Sequence, residues 1–246
     1  MSGGIDMAVS QAETLNQVTL PGAHPREVIF AGDNVRLAGQ IEYPKTAPAN
    51  GVSYPLMVVL HHAGGNTRVD YHHYAQVALE CGYAVFRWDK RGTGNSGASG
   101  LGSALSDAVA AYAIALKQPY IDQTHAVILA QGEGTLLFSE GFAEFEAVQP
   151  VFGALLIGNM LDAREILNIK TRVQILLGAK DWLNWEVYGK AASDNHRRTY
   201  PYGSQFTVAH HADRMLFDTR KPGMRFHIGA KQIIKDWLNE LVKLPR

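Results

Sequence analysis

A chain of 246 residues that is 46% hydrophobic is long and apolar enough to bury the core of one large domain, which excludes general disorder. Lys+Arg and Asp+Glu both total 23, so no net charge draws the protein to nucleic acid or to an anionic membrane surface. The single cysteine, Cys81, cannot close an internal disulfide, and the sequence shows neither a signal-peptide pattern nor a run of about 18 apolar residues, so the expectation is a cytoplasmic protein.

Residues 1–24 alternate small and polar side chains without helical or strand periodicity and read as a loosely held lead-in to a single domain, 25–246. REVIF (from Arg26) and VRLAGQIEY (from Val35) flank the turn signal AGDN, which predicts an antiparallel hairpin at a sheet edge. From Pro55 onward come short unbroken apolar runs: PLMVVL, YAVFRW, HAVILA, VFGALLIG, RVQILLG and SQFTVA. Runs without alternation predict strands buried on both faces. Helical patterns separate them: Tyr71 to Gly82, then a stripe of Leu105, Val109, Tyr112 and Leu116, and at the C-terminus Ile233, Ile234, Trp237, Leu238, Leu241 and Val242. Strand and helix in alternation predict an α/β fold, a mostly parallel sheet with helices on both faces, whose chemistry belongs at the carboxyl ends of its strands.

Five strand ends carry candidate residues. After PLMVVL comes HHAGGN, where Gly64 and Gly65 free the backbone to turn N–H groups toward a ligand. After YAVFRW comes DKRGTGNSG, which holds a G-x-G-x-x-G spacing; it follows a charged segment and leads into more glycine rather than directly into a helix, so no nucleotide cofactor is expected. After HAVILA comes Gln131-Gly132-Glu133-Gly134, a strand, a sharp turn and a helix start with small residues at Ala130 and Gly134, the form of a nucleophile elbow. Asp181 follows RVQILLG, and His210 and His211 follow SQFTVA. An acid and then a histidine is the order in which a catalytic triad continues after such an elbow.

Taken together, HHAGG, DKRGTGNSG, AQGEGT, GAKDW and AHHAD resemble, from about Val28 to the C-terminus, the α/β-hydrolase fold in its cap-less, dienelactone-hydrolase-like and small-esterase form. The resemblance implies a sheet of about eight strands, Asp181 as the acid, His211 (with His210 as competitor) as the base, and an oxyanion hole from the backbone of Ala63 and Glu133, bordered by His62, Gly64 and Gln131. The family elbow usually reads Gly-His-Ser-Glu-Gly-Thr, so this chain departs from it at Ala130, Gln131 and Gly132, and at Gly132 the nucleophile itself is missing.

Three readings follow: a pseudo-hydrolase that keeps the pocket to bind a small molecule or partner, an enzyme that uses an Asp181/His211 base without a nucleophile, and a serine hydrolase whose serine has been removed. A homo-oligomer stays open. The His-His pairs at 61/62, 72/73 and 210/211 raise the question of a metal, but adjacent histidines diverge and no thiol or carboxylate spacing supports a site, so none is expected. Trp182, Trp185, Tyr188, Tyr200 and Tyr202 crowd the segment before the last strand, as helix packing or as an apolar pocket wall.

Overall fold

The computed structural model describes residues 25–49, 51–98 and 100–244; the expected lead-in, 1–24, lies outside the described residues. Eight strands form one sheet in the order β1-β2-β4-β3-β5-β6-β7-β8. They are β1 (Arg26–Ala31), β2 (Arg36–Glu42), β3 (Tyr54–Leu60), β4 (Ala84–Trp88), β5 (Ile121–Gln131), β6 (Gly153–Ile157), β7 (Arg172–Gly178) and β8 (Ser204–Ala209). The hairpin β1–β2 is antiparallel with Phe30 opposite Leu37, β2 pairs antiparallel with β4, and the remaining pairings are parallel.

The unbroken apolar strands feed two cores because successive side chains point to opposite faces. Leu56, Val58, Leu60, Ile128 and Ala130 join one cluster, together with Ala108, Ala111 and Tyr112 of α2 (Ala104–Leu116) and with residues of α3 (Glu133–Glu140) and α4 (Phe142–Val148). Met57, Val59, Val127 and Leu129 join the other, with α1 (His72–Glu80) and the stripe Ile234, Trp237, Leu238 and Leu241 of α6 (Ile228–Val242). Ser103 caps α2 by accepting the Ser106 N–H at 2.9 Å. Between β6 and β7 there is only a 3₁₀ turn, Glu165–Asn168, whose first N–H groups are capped by Asp162, so no helical lid is inserted in that connection. A π-helical turn, Glu186–Ala191, runs into α5 (Ala192–Thr199) before β8.

Candidate functional site at the strand ends

The turn joining β5 to α3 has elbow geometry. Gly132 holds φ +55° and ψ −121°, a backbone that side-chain-bearing residues rarely adopt. It is clamped on both sides: Gly132 N donates to Ile157 O at 2.9 Å, and the Thr135 hydroxyl donates to Gly132 O at 2.7 Å while accepting the Met160 N–H at 3.1 Å. Gly134 must be small, since a Cβ there would lie 2.7 Å from the His61 carbonyl oxygen and 2.8 Å from that of Leu60.

The space above the elbow is occupied by two side chains. A Cβ on Gly132 would overlap the His62 ring and fall 2.9 Å from a terminal nitrogen of Arg214. His62 Nδ1 accepts the Glu133 N–H at 3.1 Å, so the donor expected to face an oxyanion is already bonded to an imidazole. Its own backbone is fixed: His62 N donates to the Tyr71 hydroxyl (2.8 Å), and its carbonyl accepts from Asn66 (2.9 Å) and from Lys90 Nζ (3.1 Å). Burial first, and then the Arg214 charge, hold the His62 imidazolium below its ordinary pKa, which favours the neutral acceptor form seen here. Burial also lowers the pKa of Lys90.

Asp181 lies in the loop after β7, where Oδ1 accepts the Leu183 N–H at 3.2 Å and the buried Oδ2 has no hydrogen-bond partner. Burial raises its pKa, against the opposing Arg214 charge. Neither histidine after β8 supplies the missing partner. His210 and His211 are exposed, and His211 has left-handed backbone (φ +63°) with its carbonyl turned back to accept from Thr219 N and Oγ1. The expected Asp181–His211 hydrogen bond is therefore not made.

The chain after β8 instead returns to the site at Arg214. Asp213 Oδ1 accepts the N–H groups of Met215 (2.9 Å) and Phe217 (2.8 Å), and the Tyr74 hydroxyl donates to Met215 O (2.9 Å), which pins a tight turn carrying Arg214. The guanidinium lies 5.1 Å from the ring centroid of Trp182, which is 71% exposed, and NH2 approaches the Met160 sulfur at 3.3 Å. Arg214 Cγ and Asp181 Oδ2 are each 3.4 Å from a Cβ placed on Gly158, yet among the described residues no ion pair joins them.

Arg214 is the residue that sequence reasoning missed. The signal available was AlaAspArg after the last strand, a second charged candidate beyond the His pair.

Of the other expected residues, Ala63 and Gly64 lie in the loop beside His62, with Gly64 at φ +87° and the Ala63 carbonyl held by Asn66. Gln131 is fully buried, and both polar atoms of its amide lack partners. The glycine-rich loop after β4 is tied up internally: Ser96 Oγ donates to Asp89 O (2.6 Å) and accepts from Ala38 N (2.9 Å). Cys81 ends α1 with its thiol pKa pushed up by burial to about 11, remote from thiolate reactivity at neutral pH. The aromatic segment divides between packing, with Tyr200 stacked on Tyr202 at 5.3 Å, and the site rim, with Trp182 over Arg214. Among the described residues, no group of three or more His, Cys, Asp or Glu side chains converges as metal ligands, and no helix is long and apolar enough to cross a membrane.

No family model and no curated protein sequence matches the chain. Solved structures do. A dienelactone-hydrolase-like promiscuous phosphotriesterase from metagenomic libraries superposes with a TM-score of 0.62 at 16% identity, over 90% of this chain and 98% of that one. A lid-less α/β serine hydrolase from Xanthomonas campestris gives 0.61 at 16% identity, over 92% and 98%. A CIB-like hydrolase from Thermoplasma acidophilum gives 0.60 at 14% identity, over 91% and 100%. At these identities the likeness establishes the fold.

Proposed function

We propose that this chain, which has the lid-less α/β-hydrolase fold, is a non-catalytic member of that fold that binds a small molecule at the former reaction centre. The observation that carries the reading is the occupancy of the elbow. Gly132 offers no nucleophile, the Glu133 N–H is bonded to His62, and the group beside Asp181 is a guanidinium. Arginine stays protonated and cannot serve as a general base, so it would not take a proton from an attacking hydroxyl. Each of these three features removes a different contribution to acyl transfer, and all three meet at one spot.

The nucleophile-free reading needs a base oriented by Asp181. The unpartnered Oδ2 and the outward histidines give it no support.

The test is stepwise restoration, read as p-nitrophenyl ester turnover against an enzyme-free blank. The wild type and Gly132→Ser are expected to show none, because the group beside Asp181 is a guanidinium and the nearby His62 imidazole is engaged by the Glu133 N–H rather than oriented by that carboxylate. Gly132→Ser combined with Arg214→His should gain a measurable rate. Turnover by the wild type that His211→Ala abolishes would overturn the proposal in favour of a nucleophile-free enzyme.

A further inference from the structure

Other buried or half-buried arginines among the described residues face carboxylates: Arg68 meets Asp89 at 3.3 Å, Arg91 meets Asp107 at 2.7 Å, and Arg87 pairs with Glu42. Arg214 does not. Its Nε is buried without a partner, and the contact of NH2 with the Met160 sulfur is a weak substitute for an oxygen acceptor. A guanidinium carries its donors in a fixed planar fork, so the groups it lacks are oxygen atoms in a plane, as a carboxylate supplies them.

The surroundings narrow the choice. Next to the fork stands the Glu133 N–H, at the head of α3 and held only by a His62 ring that an incoming oxygen could displace. Behind His62 lies the Lys90 ammonium, which also lines a small cavity of about 30 Å³ with Gly134 and the buried His61, whose Nε2 has no partner. Over the guanidinium stands the exposed Trp182 ring, a surface for a flat apolar group. The local charges favour a monoanion over a dianion: Arg214 and Lys90 are matched by the exposed Glu133 and by Asp181 beside the guanidinium, whose repulsion grows with each added negative charge on the ligand.

We infer that the elbow is a receptor site for a monoanionic aryl or alkyl carboxylate, gripped by Arg214 and the Glu133 N–H after His62 swings aside, with its apolar group on Trp182. The inference deepens the non-catalytic reading and rests on it. Carboxylate binding requires the imidazole to leave, so His62→Ala should bind more tightly than the wild type.

The experiment titrates the full chain with sodium benzoate, reading tryptophan fluorescence and melting temperature, against benzamide as the neutral shape-mate and inorganic phosphate as the multivalent anion. Expected are a saturable benzoate response, one at least about tenfold weaker for benzamide and for phosphate, and at least about a tenfold loss in Arg214→Met. Arg214→Lys, which keeps the charge and loses the fork, should fall between, and serves if the methionine variant does not fold. Trp182→Leu should remove most of the fluorescence change.

The inference is overturned by equal responses to benzoate and benzamide, by tighter binding of phosphate, by benzoate binding that both Arg214 variants keep in full, or by no saturable response up to on the order of 10 mM. Ester turnover by the wild type, measured in parallel, would count against the non-catalytic reading alone. A failure of benzoate recognition without turnover would count against the inference alone.

Discussion

Two loops at the same end of the sheet handle their polar groups in opposite ways. After β4, Asp89 is 2% exposed and fully engaged: its carboxylate accepts the N–H groups of Arg68 and Asn95, each at 2.9 Å, and pairs with the Arg68 guanidinium. Ser96 closes the loop back onto β2. Around the β5 elbow, Gln131, Asp181, Arg214 and His61 each keep at least one buried polar atom without a partner. Leaving a buried donor or acceptor unpaired costs about 1–3 kcal/mol, so a network with several such atoms is not arranged for stability. The β4 loop commits its polar groups to holding the fold together, and the elbow leaves part of its hydrogen-bonding capacity unused.

The contrast can be broken most sharply with two carboxylates. Asp89→Ala should destabilise the protein by about 2–5 kcal/mol in urea titration, because it leaves two backbone donors unpaired and takes from Arg68 the more buried of its two carboxylates. Asp181→Ala should shift stability by less than about 1 kcal/mol, having little to break. Equal losses would erase the distinction.

Acid probes the elbow side next. His61, boxed in by Tyr71 and Trp88, has its pKa pushed down by burial to about 3, and His73, packed against Phe217 and Phe226, to about 4. Both folded values lie below the ordinary 6.5, so the unfolded chain binds more protons. Their stabilisation is complete above 6.5 and is lost as pH falls toward those values, by up to about 1.4 kcal/mol per pH unit for each ring. Asp181, raised by burial, works in the opposite sense and only near the carboxylate range. Denaturation midpoints between pH 6.5 and 4.5 should therefore fall steadily, and the slope should flatten in His73→Phe.

The smallest expected effect is a gain. Gln131→Met replaces a buried, unpartnered amide by an apolar chain of similar volume and should raise stability by about 1 kcal/mol, read from the urea midpoint. A loss would mean that the amide is held by groups an apolar side chain cannot replace.

Much of the fold was legible because it rests on periodicity. Unbroken runs such as PLMVVL and HAVILA became central strands with alternate residues in two cores, and AGDN became the hairpin turn. The sharp strand-to-helix turn at Gly132 was legible from the small residues around it, and Gly134 shows the reason in its close approach to two carbonyls. The occupants of the elbow were not. His62 reaches it through a rotamer and a 3.1 Å hydrogen bond that no local spacing encodes, and Arg214 through a turn set by the Asp213 carboxylate and the distant Tyr74 hydroxyl. Looking for an imidazole near the last strand favoured His211, whose left-handed backbone directs the chain elsewhere. The short α4 and the π-helical turn also went unread, the first because it spans only seven residues.

The backbone at position 132 acts as a ratchet. Its φ of +55° is set by the strand-to-helix reversal and by the Ile157 and Thr135 clamps, so the bend outlasts whatever residue sits in it. Any side chain there works against a tension of about 1–3 kcal/mol, and glycine releases it. Glycine is the relaxed occupant of this bend, whereas any side chain placed there must climb against the backbone, the imidazole in the way and the arginine beside it.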